Sequence, residues 1–243
     1  MPLPKIVTPT YELTLPSNKK IVKYRPFLVK EEKVLILAME SGDSEQITKE
    51  VKNVLRDCVL TRGIKIENLP SFDIEYLFLN IRAKSVGESV ELTITCPDDN
   101  ETQVDVVVNI DEIKVEIPEE HTTEIKIDDN ITIKMKYPSL QEFVDNNFDF
   151  SKPNGTEETI DKSFEVAASC IDIVYTQDDS WTSSEVTKKE IVDWLQTMDS
   201  NQFKGIENFF ETMPKLSHTL IIKNPKTEVE SEVVLEGLSS FFG

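Results

Sequence analysis

Positive charge, glycine, histidine and long apolar runs are all scarce in this sequence. Lys and Arg total 26 against 45 Asp and Glu, a formal charge of −19. A field of that sign repels phosphate backbones, and nucleic-acid binding draws on cationic neutralisation, so nucleic acid is not expected as a partner. An anionic membrane surface is disfavoured for the same reason. The longest apolar run, Val34 to Met39, is far too short to span a bilayer. The opening MPLPKIVTPTYEL has neither the apolar stretch nor the cleavage pattern of a signal peptide.

Reactive motifs are missing as well. There is no G-x-x-x-x-G-K-[ST] or G-x-G-x-x-G loop to cradle a phosphate, and no G-x-S-x-G elbow. Cys58, Cys96 and Cys170 are widely spaced and odd in number, which suits a reducing cytosol better than a disulfide framework. Tetrahedral zinc needs four ligands, usually in close pairs, and Cys96 has no Cys or His within four residues. Cys58 and Cys170 fall on apolar helix faces and read as core. Of the two histidines, His121 sits in a linker and is expected to be solvated, while His218 is expected to be a structural or surface residue at a strand start. The acidic pairs Asp98-Asp99, Glu119-Glu120, Asp128-Asp129 and Asp178-Asp179 lack the alternation of a calcium loop and read as solvated turns. No catalytic residue, metal, cofactor or small-molecule substrate is expected. Dispersed carboxylates meeting in space remain an enzymatic alternative, which a pocket of converging Asp and Glu would reveal.

The remaining composition, 39% hydrophobic and 29% charged, is that of a folded globular chain, and 243 residues allow one large domain or two small ones. Pro2, Pro4 and Pro9 mark an extended N-terminal arm. YELTL and IVKY flank a Pro-Ser-Asn-Lys turn and predict a hairpin. FLVKEEKVLILAME predicts a helix ending near Gly42. Asp43 and Gln46 have N-cap and N3 spacing before a helix with Ile47, Val51, Leu55, Cys58 and Val59 on one face. Pro70-Ser71 opens a helix apolar nearly all round, hence buried. SVELTIT and TQVDVVV form a hairpin about Cys96 to Asn100.

After a charged, Pro-containing linker from Ile113 to His121, the plan restarts. TEIKI and ITIKMKY predict a second hairpin, and SLQEFVDNNF a short helix. A further helix after Thr156 has Ile160, Phe164, Ala167, Ile171 and Val174 on its face. TQDDSWTSSE reads as a polar loop. Thr187 and Glu190, then Asp199 and Gln202, cap two more helices, Pro214 stops the second, and a final hairpin closes the chain. The expected class is α+β, with two similar helix-plus-β-hairpin halves at 1–118 and 119–243 and small antiparallel hairpins packed on helices. Glu12 aligns with Glu124, Asn18 with Asn130, Ile21 with Ile133 and Pro26 with Pro138, consistent with internal duplication. In that ungapped alignment Val22 and Tyr24 fall opposite Lys134 and Lys136, so one strand needs a one-residue shift.

Three features suit contact with other proteins. Trp181 lies in a polar stretch, where it either tucks onto the core or anchors a partner. Trp194 lies on an apolar face and reads as core. Leu238, Phe241 and Phe242 end the chain on an apolar patch that either caps the core or docks on a neighbour. The Pro2, Pro4 and Pro9 arm is the third.

Several blocks carry a family resemblance: PLPKI, PTYELTLPS, YRPFLVKEEK, LPSFDIEYLFLNIRAKSVGE, FFETMPKLSHT and LEGLSSFF. Together they resemble the baseplate hub subunit (hub assembly protein) family of T-even-type contractile-tailed phages. The likeness covers most of the chain, least about Ser151 to Ser184. It implies a virion or assembly protein rather than an enzyme, with other baseplate or hub proteins as partners. It places the chain in the host cytoplasm during assembly, or in the tail baseplate of the virion. An acidic cytosolic chaperone or adaptor for tail assembly, absent from the mature virion, is the alternative.

Overall fold

The computed structural model describes residues 4, 6–139, 157–237 and 240. Among them are six helices and eleven strands in small antiparallel sheets, the α+β class that the pattern predicts. The chain divides into two compact units, one of residues 1–116 with 215–243 and one of 117–214.

The first unit opens with the predicted hairpin. β1 (Tyr11–Thr14) and β2 (Ile21–Tyr24) pair with Leu13 opposite Val22 and Tyr11 opposite Tyr24. Val22 and Tyr24 point inward and Ile21 and Lys23 outward, the period of two expected of a half-buried strand. Helix α1 (Val29–Ser41) starts where Glu31 accepts a hydrogen bond from the Leu28 N–H, and ends at Gly42, whose φ of 66° suits glycine. Helix α2 (Ser44–Cys58) is capped by Asp43, which accepts from the backbone N–H groups of Glu45 and Gln46 as predicted. Helix α3 (Ser71–Val86) buries side chains on all sides, Phe72, Ile74, Leu77, Leu79 and Ile81 among them.

Next comes the hairpin β3 (Ser89–Thr95) with β4 (Gln103–Asn109), then the short β5 (Lys114–Glu116). The final hairpin, β10 (Lys215–Lys223) with β11 (Glu230–Glu236), pairs through β10 with β5. Leu79, Val90, Leu92, Val108, Ile113 and Leu216 form the shared core of these strands and α3. Because Lys215 pairs with Glu116, the last hairpin belongs to the first unit. The sequence suggested halves at 1–118 and 119–243; the compact units here are 1–116 with 215–243, and 117–214.

The second unit holds a four-stranded sheet in the order β6 (Glu124–Lys126), β7 (Thr132–Met135), β8 (Ile171–Tyr175), β9 (Ser180–Thr182). Its helices are α4 (Glu157–Cys170), α5 (Lys188–Leu195) and α6 (Ser200–Glu211). Ile125, Ile133, Ala167, Ile171, Leu195, Ile206 and Phe209 make its core. Thr187 with Glu190 and Asp199 with Gln202 form the two predicted capping boxes. Two expectations are corrected. Ile171 and Val174, assigned to a helical face, lie in β8, since β-branched and aromatic residues from Ile171 to Tyr175 pair with β7 instead. The polar stretch about Trp181 is not all loop, because Ser180–Thr182 pairs with β8. The helix expected over SLQEFVDNNF lies outside the described residues from its second residue onward.

The two hairpins differ by one residue in register. Leu13 faces Val22 in the first hairpin, and Ile125 faces Ile133 in the second, which reaches that pairing with one residue fewer. Buried Val22 and Tyr24 thereby correspond to buried Ile133 and Met135. In both units the chain then bonds back to a helix-ending cysteine: the Arg25 N–H to the Cys58 carbonyl at 3.0 Å, and the Lys136 N–H to the Cys170 carbonyl at 2.7 Å.

Candidate partner-binding site

The second unit carries an open, largely apolar pocket of about 350 Å³. Its walls come from β8 (Ile171 and Val174), from β9 (Trp181) and from α5 (Ile191 and Trp194), with Val186 between them. The hairpin sets Trp181 directly across from Val174. Its turn is fixed locally, because the Thr176 N–H donates to the Asp179 carbonyl at 2.8 Å and the Asp179 N–H to Thr176 Oγ1 at 3.0 Å. Helix α5 is aimed by its capping box, which turns Ile191 and Trp194 toward the same space. Trp194 packs partly on the core, as expected, and lines the pocket as well. Trp181 is 45% exposed, too much for a core residue of that size.

Polar groups at the pocket have structural work. Glu190 accepts from the Thr187 N–H and hydroxyl at 2.8 and 2.7 Å, and these bonds hold its carboxyl below the ordinary range. Glu185 accepts likewise from Thr182, whose N–H and hydroxyl lie at 2.9 and 2.8 Å, with the same direction of shift. The pocket lining thus presents two indole rings, aliphatic side chains, a few hydroxyls and one carboxylate that stays ionised. That set suits the binding of an apolar side chain; it contains no nucleophile paired with a base. Among the described residues no group of three or more His, Cys, Asp or Glu is placed to hold a metal, and no helix is long and apolar enough to cross a membrane.

Of the described residues singled out from sequence, Pro4 and Pro9 do not line this pocket. Pro4 and Pro9 are exposed, and Ile6 and Val7 between them are almost fully so. Pro2, Leu238, Phe241 and Phe242 lie outside the described residues. His121 is corrected: it is partly buried, stacked on Tyr137 and tilted against Phe209, with Nδ1 2.9 Å from Thr212 Oγ1 and Nε2 2.9 Å from Tyr137 Oη. Its role is to pack the second unit. All three cysteines are free and buried. The acidic turns are less idle than expected, since Asp98 accepts from Asn224 and Thr227, and Asp128 from the N–H groups of Asn130 and Ile131. Ile191 and Val186 were not singled out. The signal for Ile191 was the spacing from the capping box to Trp194, which does not tell a pocket wall from a core face; Val186 stands before the cap, outside that spacing.

Comparison with known proteins adds a family. The family described as T4 bacteriophage base plate protein matches residues 8–243. The baseplate hub assembly protein gp26 of Enterobacteria phage T4 is 23% identical over 235 residues, covering 96% of this chain and 97% of that protein. No solved structure matches.

Proposed function

The chain belongs to the T4 bacteriophage base plate protein family, and we propose that it helps build the hub of a contractile-tail baseplate by presenting shaped surface to other baseplate proteins. A structural or assembly role in a phage baseplate follows from the family. The finer reading, action by protein–protein contact without bond-breaking chemistry, is supported by one observation above all. The open pocket of the second unit is walled by Trp181 and Trp194 and by aliphatic side chains, with no converging reactive groups. A half-exposed tryptophan beside an apolar recess is the usual anchor of an interface hot spot. Pro2, Pro4 and Pro9 and the Leu238, Phe241 and Phe242 tail are the further contact segments in this reading. It operates in the host cytoplasm during assembly, and the partners are other baseplate or hub proteins. The two units are proposed as repeats, which the matched hairpin register and the returns to Cys58 and Cys170 support.

The test is assembly with a defective copy of the gene complemented in trans. Trp181→Ala should reduce hub assembly while far-UV circular dichroism and the melting transition stay near those of the parent. Deletion of residues 236–243 should do the same. Unchanged assembly with both variants would remove the contact reading. Mass spectrometry of purified particles against infected-cell lysate separates a retained hub subunit from an acidic assembly factor released before completion.

A further inference from the structure

Helix α1 is apolar around more of its circumference than it buries. Its inward side is Glu31, Leu35 and Ala38. Val29, Ile36 and Leu37 project outward, 80%, 50% and 52% exposed. Positions 29, 33, 36 and 40 follow the four-three spacing of a helix–helix seam, so Val29, Lys33, Ile36 and Glu40 share one stripe with Leu37 beside it. A helix that is apolar nearly all round normally has neighbours nearly all round.

We propose that the Lys33 to Glu40 part of this stripe is covered by α1 of a second copy of the chain, packed antiparallel about a twofold axis between Ile36 and Leu37. In that arrangement the two Ile36 side chains meet on one side of the axis and the two Leu37 side chains on the other. Lys33 of each copy then stands opposite Glu40 of the other, twice. Both are exposed and neither has an ion-pair partner among the described residues, whereas Lys30 is already held by Glu31 at 3.3 Å. Glu40 also lies in the last turn, where a negative charge opposes the macrodipole of an isolated α1, and the lysine of an antiparallel partner compensates it.

Charge selects the occupant. Two copies, each at −19, repel one another over most of their surface. The stripe itself, with one lysine and one glutamate, is neutral and complementary to its own reverse, so it favours a copy of itself over a strongly basic partner. A one-helix seam is smaller than the ~1,600 Å² of a standard interface, so the dimer is weak, with a dissociation constant on the order of ten micromolar. This surface is independent of the Trp181 pocket, and either proposal can fail without the other.

Sedimentation velocity of the full chain from about 1 to about 300 μM brackets that constant. The mass should rise from monomer to dimer. Lys33→Glu should weaken the dimer at least about tenfold, because it sets glutamate against glutamate twice. Lys33→Glu with Glu40→Lys should restore it to within about twofold, since the same two pairs form with signs exchanged. Lys20→Glu, an exposed change of equal charge, should leave it unaltered. Leu37→Cys should give a covalent dimer under mild oxidation, the native thiols being buried. A chain that stays monomeric throughout, a reversal that its compensating change does not rescue, or a Leu37→Cys chain that does not cross-link overturns the proposal. Melting curves that match the parent show that the variants are folded.

Discussion

Asn224 donates its side-chain amide to both carboxylate oxygens of Asp98, at 3.0 Å each, from 126 positions away in the sequence. The pair joins the turn of β3–β4 to the turn of β10–β11. Those turns are alike, and the β1–β2 turn is a third of the kind. Leu15, Cys96 and Asn224 are each buried, each precede a proline, and each accept a hydrogen bond from the N–H four residues on. That fifth residue, Lys19, Asn100 or Glu228, has positive φ in every case. The same backbone therefore ends in an apolar residue, a thiol or an amide, and the amide alone needs a partner inside.

Asp98→Ala should consequently unfold more easily than its exposed position suggests, because it strands the buried Asn224 amide. Asn224→Ala removes the same contact from the other side. In denaturant melts each single change should lower the midpoint, and the double should lower it no further than the worse single. Fully additive effects would show that the two side chains do not act as a unit.

A buried ion pair anchors the start of α1. Glu31 lies almost out of solvent, with Arg25 reaching its two oxygens at 2.8 and 3.0 Å and the Leu28 N–H at 2.6 Å. Arg25 is the main cause that holds its carboxyl at about 2 rather than 4.5. A depressed carboxyl stabilises the fold fully above its unfolded pKa and loses that contribution as pH falls toward the folded one. Stability should drop between about pH 4.5 and 2, and Glu31→Gln should flatten that part of the profile. The substitution should cost about 3 kcal/mol near neutrality, since it leaves the Arg25 guanidinium without its carboxylate. Arg25→Lys should recover only part, having no fork to offer both oxygens. A parent-like acid profile in Glu31→Gln would refute this.

Local chemistry was legible from sequence and partner choice was not. The caps Asp43, Thr187 and Asp199 lie where their three-residue spacing put them, because a cap is satisfied within one turn of chain. The apolar perimeter of α3 correctly announced burial, while the exposure of Ile36 and Leu37 on α1 was not announced, since periodicity cannot say whether a neighbour is present. Ile171 and Val174 suit a helix face by spacing and a strand by residue type, and β7 decided between them. The last hairpin follows the second unit in the chain, and only its pairing with β5 assigns it to the first. Trp181 was visible as an aromatic out of place, but its pocket required β8, β9 and α5 together.

The thiols offer a direct check of the core. Burial pushes Cys58 up to about 11, and it raises Cys96 as well. A thiol that is both enclosed and protonated reacts slowly. The folded chain should release almost no chromophore from an aromatic disulfide reagent at pH 8, and all three cysteines should react in denaturant. Rapid reaction of one thiol in the native chain would place it at the surface.

Gly205 lies inside α6, where glycine ordinarily costs about 1 kcal/mol relative to alanine. Its use here is spatial: a Cβ on Gly205 would fall 2.6 Å from Cγ2 of Ile125, a buried residue of β6. Gly205→Ala should therefore destabilise by about 1–2 kcal/mol in spite of its better helix propensity, because the clash displaces a packed side chain. Adding Ile125→Val, which trims that neighbour, should recover part of the loss. A stabilised Gly205→Ala chain would mean that helix and strand are not in close contact.

His121 makes the second unit sensitive to mild acid, and its tautomer follows from its neighbours. Thr212 Oγ1 donates to the Asn208 carbonyl at 2.7 Å, so it accepts from His121 Nδ1–H, leaving Nε2 to accept from the Tyr137 hydroxyl. Protonation at Nε2 would end the hydrogen bond that it accepts and oblige the Tyr137 hydroxyl to turn its oxygen toward the ring, within a cluster with Tyr137 and Phe209. Burial lowers the folded pKa of His121. The unfolded chain thus takes up the proton first, and the stabilising contribution present at neutral pH is lost as pH falls from about 6.5 to the lower folded value. Below that value both states are protonated and this loss ends. Melting of the second unit should shift downward on going from pH 7.5 to 5.5, and His121→Gln should melt lower at pH 7.5 with less shift across the same interval. Tyr137→Phe, which removes the opposing hydroxyl, should ease protonation and raise the His121 pKa followed by NMR. A His121 that titrates at or above 6.5 in the parent chain would contradict the burial on which this rests.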